Sequence, residues 1–400
     1  MKILHVLDHS LPYFSGYSFR SDSILRTQRQ LGWQPIAITS PKHENFDNEI
    51  ETINGVSYHR THWPIASGLQ NLPMARQIAT VTTLAKQIIQ LAEEFNPEVI
   101  HAHSPSLCGL AAAKAAKALN LPVVYELRYY EEDAAVDRGK TRHNSLRYRL
   151  GQRLEFEALQ QADAVTTLSR GLRDDLIQRG ISPEKIFIIP NGVDTTEFQS
   201  IEPDAELTIK HELAGKLVIG FIGSFYFYEG LETLIDAVLI LLAQRNDAKL
   251  LLVGDGESAD TLRQRVPESL REHFIFTGNV AHNEVRRYYS VMDVLAYPRV
   301  QSRLTELTTP LKPLEAMAME KAVVASNIGG LRELLDDGNV GYLVEAGNKQ
   351  AWADQLLRLL ENPNERLVLA QRAREFVLEQ RTWPSLVSQY LPIYQRISTL

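Results

Sequence analysis

The sequence predicts an α/β protein built from two doubly wound domains in tandem. Three observations carry that prediction. Short apolar runs of strand length alternate with segments of helical period along the chain. The alternation halts after Phe198 and begins afresh at Lys216. A chain of 400 residues is also longer than one hydrophobic core usually organises.

In the first half, strands are expected at 3–7, 35–39, 99–101, 123–127, 164–168 and 187–189. Helical periods fill the intervals at 18–31, 74–95, 107–119, 146–161 and 172–178. Strands separated by helices pair in parallel, as β-α-β units. The stretch 199–214, with Pro203 and mixed charge, reads as a linker. Strands resume at 216–223, 249–253, 273–277, 294–297, 322–326 and 341–344, and helices close the chain at 351–360, 366–379 and 386–397. The expected division is therefore a first domain at 1–198, a linker at 199–214, a second domain at 215–380 and a tail helix at 381–400 that packs back on the first domain. Ligands of such sheets lie outside the carboxyl ends of the strands, and two such edges facing each other make a cleft.

The bulk numbers exclude several classes. With 44% hydrophobic and 23% charged residues the composition is that of an ordinary globular protein. A net charge of −7 argues against a general nucleic-acid binder. The opening apolar run is stopped by Asp8, which makes it a strand rather than a signal peptide. The longest apolar stretch, 234–243, contains Asp236 and is too short to span a bilayer. A cytoplasmic protein is expected, with any membrane contact peripheral. The single Cys108, in an alanine-rich stretch, reads as a small buried hydrophobe.

Four segments carry the chemistry. Residues 189–198 read IPNGVDTTEF, a strand running into a Pro-Asn-Gly turn. Residues 249–256 read KLLLVGDG, 276–280 read FTGNV, and 309–324 read TPLKPLEAMAMEKAVV. In this order and spacing they resemble the retaining glycosyltransferases of family 4, which have the GT-B fold of two facing Rossmann-like domains with a cleft between them. The segments HSLPYFSGYSFRSDSIL, YELRYYEEDAAVDRG, GSFYFYEG and LTELTTPLKPLEAM resemble more closely a subgroup associated with exopolysaccharide and exosortase (PEP-CTERM) systems.

The resemblance implies a donor site in the second domain. Glu315 would accept hydrogen bonds from the ribose hydroxyls of the nucleotide, as carboxylates do in dinucleotide sites. Backbone N–H groups at Leu311 and Lys312, at a helix start, would face the diphosphate. Main-chain atoms at Asn279 and Val280 would read the base. In the first domain the loop before the helix near residue 18 carries Gly16, which lets backbone approach a phosphate, although Ser15 replaces the first glycine of the usual pair.

Three departures bear on the chemistry. Leu307 occupies the first place of the usual pair of glutamates, and Glu306 is out of register. Ser224 and Glu229 stand where the arginine and lysine of the diphosphate clamp belong. Each hydrogen bond to a charged group contributes roughly 1.5–3 kcal/mol, so the expectation is that Arg299, Arg303 and Lys312 supply the missing charge. Arg128 takes the place of a strand-end histidine; it cannot be a base but can stabilise the leaving diphosphate. Glu126, two residues earlier on the same strand face, would orient Arg128 or touch the acceptor. His101 and His103 share one strand face; with no third ligand apparent nearby, no metal is expected, and His103 is read as a sugar or acceptor contact or as simple packing.

The implied activity is metal-independent and needs no cofactor: transfer of a sugar, with retention, from a UDP- or GDP-sugar to a saccharide or polyprenyl-linked saccharide in exopolysaccharide biosynthesis. The alternative is a catalytically impaired donor-binding or scaffold protein of the same fold. A nicotinamide-dependent oxidoreductase would want G-x-G-x-x-G after the first strand, which residues 12–16 do not supply. The segment 138–153, with Arg138, Lys140, Arg142, Arg147, Arg149 and Arg153 interleaved with Leu146, Tyr148, Leu150 and Leu154, could meet anionic lipid at the inner face of the membrane. A solvated helix and a site for an acidic acceptor are the alternatives to that preferred lipid reading.

Overall fold

The computed structural model describes residues 1–44, 46–63 and 73–399, and the chain divides into two compact units. The first comprises residues 1–191 and 383–400, the second residues 192–382.

Among the described residues, the first unit is built on one eight-stranded sheet in the order β3-β4-β2-β1-β5-β6-β7-β8. Its strands are β1 (Lys2–Leu7), β2 (Gln34–Thr39), β3 (Ile50–Ile53), β4 (Val56–Arg60), β5 (Val99–His103), β6 (Val123–Leu127), β7 (Ala164–Thr167) and β8 (Ile186–Ile188). All pairings are parallel except the β3–β4 hairpin. The sequence reading missed that hairpin, whose strands are short and mostly half-buried or exposed. The signal was present: Asn54 and Gly55 both take positive φ, 51° and 75°, the geometry that Asn-Gly favours in a two-residue hairpin turn.

The second unit holds a wholly parallel six-stranded sheet, β11-β10-β9-β12-β13-β14. These strands are β9 (Leu217–Ile222), β10 (Ala248–Val253), β11 (Phe274–Phe276), β12 (Val294–Tyr297), β13 (Ala322–Ser326) and β14 (Tyr342–Val344). Its central strands are buried on both faces, as a parallel sheet covered by helices requires. Strand order reverses between β9 and β12, so the carboxyl ends of those two strands flank the unit's topological switch point.

The boundary between units falls at Asn191 rather than Phe198, and 199–214 is not a linker. A helix forms at Ala205–Lys210, capped by Asp204, whose side chain accepts from the Leu207 N–H. Leu207 and Leu213 are buried in the second unit's core, a gain of roughly 1.5–3 kcal/mol each. Asp204 also pairs with Arg287 at 2.6 Å. Mixed charge here marks ion pairs on a packed segment, not a free connection.

The chain end is two short helices, Trp383–Ser388 and Tyr390–Ser398, grouped with the first unit. Tyr390 and Tyr394 are fully buried there. Cys108 is also fully buried. No helix among the described residues is long and apolar enough to cross a membrane.

Candidate functional site

At the switch point of the second unit, backbone meets backbone, and glycine makes this possible. A Cβ on Gly254 would lie 1.9 Å from the Gly223 carbonyl oxygen, and one on Gly230 would lie 2.0 Å from the Pro298 oxygen. The Gly254 N–H donates to the Gly278 oxygen at 3.0 Å, and the Val300 N–H to the Tyr228 oxygen at 3.0 Å. The loops after β9, β10, β11 and β12 are thereby joined into one surface.

Lys312 lies over this surface. A Cβ on Gly223 would be 2.4 Å from its Nζ, and the ammonium has no ion-pair or hydrogen-bond partner among the described residues. Its position is fixed from below, because Tyr297 donates to the Lys312 carbonyl at 3.0 Å, with the Tyr289 hydroxyl 3.4 Å from the same oxygen. Lys312 opens the seven-residue helix Lys312–Ala318, whose cap, Leu311, contributes no side-chain bond. Glu315 sits one turn on, half-buried, with Oε2 accepting from Tyr289 at 2.9 Å and Oε1 without a hydrogen bond among the described residues. Burial pushes its carboxyl above the ordinary value, while Tyr289 and Lys312 pull the other way.

Of the expected charge cluster, Lys312 alone keeps an unpaired cation over the loop. Arg299 is committed to Glu229: its Nε donates to Oε2 at 3.0 Å and its Nη2 to Oε1 at 2.8 Å, both side chains being nearly buried. The acidic residue in the clamp position is thus neutralised by an arginine from the neighbouring strand end. Arg303 begins a separate short helix, Arg303–Leu307, capped by Ser302. Glu306 is a structural acceptor for that region: its Oε2 takes the Gly329 N–H at 2.6 Å and its Oε1 the Gln301 amide at 2.9 Å. Ser224 and Asn279 are exposed and Val280 is half-buried, on the same run of loops. Gly16 is the exposed first residue of the helix Gly16–Gln30 in the first unit, with Ser15 as its N-cap.

The residues expected to be catalytic are Glu126, Arg128 and His103. All three are buried, and Arg128 bonds both of the others. Arg128 spends Nε on Glu126 at 2.8 Å, Nη2 on His103 Nδ1 at 2.7 Å, and Nη1 on the Tyr17 carbonyl and Ser21 hydroxyl. Glu126 also accepts twice from Arg20, at 3.1 and 3.0 Å, and from the Tyr390 hydroxyl. Burial pushes its carboxyl up, but Arg20 and Arg128 outweigh that and hold it well below the usual range. A carboxylate met by two guanidinium groups and a phenol holds its neighbours in place, and Glu126 orients Arg128, one of the two roles expected of it.

The expectation of two histidines without a third ligand is corrected. Parallel pairing of β1 with β5 sets His5 opposite His101, so three imidazoles meet, with nitrogens within 4.8 Å of one another. Their bonds run in one direction. Arg128 donates to His103 Nδ1, so His103 Nε2 carries the proton given to His5 Nδ1 at 2.9 Å, and His5 Nε2 donates to the Gln28 oxygen at 2.8 Å. The Gln28 amide then donates to Tyr394 at 3.3 Å and Tyr394 to His101 Nδ1 at 2.7 Å. Burial depresses all three, His5 to about 3 and His103 to about 4, so each is neutral near pH 7. A metal would have to displace the His5–His103 bond beside a guanidinium; the set fits a hydrogen-bonded core better than a coordination site.

Arg20 was absent from the sequence reading, yet it joins the most motifs. Besides Glu126 it donates to the Ile189 and Pro190 carbonyls, the Asn191 side chain and Tyr390, with Trp383 beneath its plane at 5.6 Å. The Pro-Asn-Gly turn is therefore the seat of a buried arginine. The rest of that motif belongs to the second unit, where Glu197 pairs with His282 at 3.3 Å.

Comparison with known proteins gives consistent matches. The family model described as Glycosyltransferase Family 4 matches residues 19–197, and that described as Glycosyl transferases group 1 matches residues 216–362. Alpha-maltose-1-phosphate synthase of Mycolicibacterium smegmatis is 27% identical over 63% of this chain and 67% of its own. GDP-mannose-dependent alpha-mannosyltransferase of Corynebacterium glutamicum is 25% identical over 100% of this chain and 90% of its own. Among solved structures, Anabaena HepE in complex with UDP superposes with a TM-score of 0.77 at 20% identity, covering 100% of both chains.

Proposed function

Because this chain belongs to the glycosyltransferases of GT-B fold whose halves match the Family 4 and group 1 models, we propose that its second unit binds a UDP- or GDP-linked sugar and that the sugar is transferred with retention. The acceptor, a saccharide or polyprenyl-linked saccharide, belongs to the first unit in this reading. The setting is exopolysaccharide synthesis at the inner face of the membrane.

One observation carries the reading: an unpaired ammonium, Lys312, held over glycine backbone at a topological switch point, one helical turn from a carboxylate with an open oxygen. A cation and close backbone suit a diphosphate, and Glu315 suits vicinal ribose hydroxyls. Lys312 would stabilise the charge that develops on the leaving diphosphate, the moment at which electrostatic stabilisation accelerates transfer. With that positive charge fixed in the protein, the reaction as proposed needs no metal. The names of the relatives, one acting with GDP-mannose and one structure holding UDP, support a nucleotide donor without choosing the base.

Calorimetric titration with UDP and GDP tests this. Wild type is expected to bind one of them. Lys312→Ala should raise the dissociation constant at least tenfold, from loss of roughly 1.5–3 kcal/mol. Equal affinity in the variant overturns the assignment. Nucleotide binding with no transfer or hydrolysis of any UDP- or GDP-sugar would instead identify a donor-binding scaffold.

A further inference from the structure

Within the first unit, a cavity of about 700 Å³ lies beyond the carboxyl ends of β2, β5 and β6. Four separate stretches of chain bring cations to it: Lys42, Arg76, the pair Arg138 and Lys140, and Arg147. Arg76, Lys140 and Arg147 form no ion pair among the described residues. Lys42 reaches Asp8 only at 3.5 Å. Ser106 and Leu107, at the start of the 14-residue helix Ser106–Leu119, also line the cavity; that helix has no acidic residue in its first turn and no side-chain cap.

The acidic residues around the cavity do not cancel this charge. Glu155 donates nothing negative near neutral pH, because burial pushes its carboxyl up to about 8, and it accepts from Tyr125 at 2.7 Å. Glu132 is buried against Arg179 at 3.4 Å. Glu131 remains, exposed at the rim. Like charges gathered from distant parts of a chain repel one another, and in a net acidic protein such a gathering is what an anion-binding site looks like.

We propose that this cavity receives the phosphate of a phosphorylated saccharide acceptor, with Arg76, Lys140 and Arg147 as its ligands and Glu131 placed to accept from sugar hydroxyls. The proposal rests on the glycosyltransferase reading above and names the acceptor class within it. Of the readings open for the basic segment 138–153, it selects the acidic acceptor. Convergence on a concavity, with Lys42 and Arg76 joining from elsewhere, favours a small anion over a flat membrane surface.

The test uses the full chain and glucose 1-phosphate, inorganic phosphate and glucose as probes, titrated with saturating UDP or GDP so that the donor site is filled. Glucose 1-phosphate is expected to bind, phosphate more weakly, and glucose not measurably. Arg76→Ala/Arg147→Ala, two exposed positions, should weaken glucose 1-phosphate at least tenfold and leave nucleotide affinity unchanged. Equal binding of glucose and glucose 1-phosphate, or unchanged affinity in the double variant, overturns the proposal. So does capture of wild type by phosphatidylglycerol vesicles, but not phosphatidylcholine vesicles, with no binding of either soluble phosphate. If the chain bound neither UDP nor GDP while the double variant still lost glucose 1-phosphate, the donor reading would fail and the cavity assignment would stand.

Discussion

Arg20 and Lys312 are two cations with opposite circumstances, and the contrast separates structure from function. Arg20 is buried, with every donor group directed at an acceptor, and it holds Glu126, residues 189–191 and Tyr390 together. Breaking a buried ion pair from one side costs about 3–5 kcal/mol. Arg20→Met should therefore lower the thermal midpoint of the first unit markedly, while nucleotide affinity, a property of the second unit, is retained at 25 °C. A midpoint within a degree of wild type would show that Arg20 is not the keystone. Arg299 is the same kind of residue in the second unit: Arg299→Ala leaves Glu229 buried and unpaired, so it should cost stability, whereas Lys312→Ala should cost affinity. Lys312 stood out along the chain as a donor-site cation, but the commitments of Arg20 and Arg299 did not. Arg20 stands in a helix of mixed polar residues, and its partners are more than a hundred positions away.

At the level of elements, the central strands were legible because parallel strands buried on both faces are continuous apolar runs. The Asn54-Gly55 hairpin and the helix Ala205–Lys210 were not, since their short amphipathic segments resemble loop until a core is present for them to cover. The strands at 249–253 and 273–277 were legible from the chain, but the mutual contact of the glycine-bearing loops that follow them is a product of strand order. Gly254→Ala forces a Cβ to 1.9 Å from the Gly223 oxygen, and no side-chain rotation can relieve a backbone contact. This substitution should lower nucleotide affinity at least tenfold by splaying the loops under Lys312. Gly347, also at positive φ but with open space around it, is the control: Gly347→Ala should cost a little stability and no affinity. Equal affinity in both would mean that the joined loops do not form the site.

For the molecule as a whole, buried titratable groups set the pH dependence, and their signs differ. His5 and His103 are depressed from 6.5 to about 3 and about 4, so the unfolded chain binds more protons below pH 6.5. The stability they support is full above that pH and is lost as pH falls from there to about 4 for His103 and about 3 for His5. Glu155 runs the other way: its folded value, about 8, lies above the ordinary 4.5, so its contribution is present below pH 4.5 and lost as pH rises through 8. Glu155→Gln keeps an oxygen for the Tyr125 hydroxyl and removes the titration. Its stability relative to wild type should grow between pH 4.5 and 8, at roughly 1.4 kcal/mol per pH unit, and level off above. A difference that stays constant across denaturant titrations at pH 5, 7 and 9 would contradict this assignment.

The central claim is the location of the donor, and hydrogen–deuterium exchange with and without saturating nucleotide, UDP or GDP as binding dictates, tests it most directly. The account predicts added protection in the loops around 223–230, 254–256, 277–280 and 298–300 and at the start of the helix Lys312–Ala318. It predicts no comparable change in β1, β5 and β6, where the histidines and Glu126 are already held in one buried network through Arg128. Protection centred on those strands, with the Lys312 loops unchanged, would contradict it.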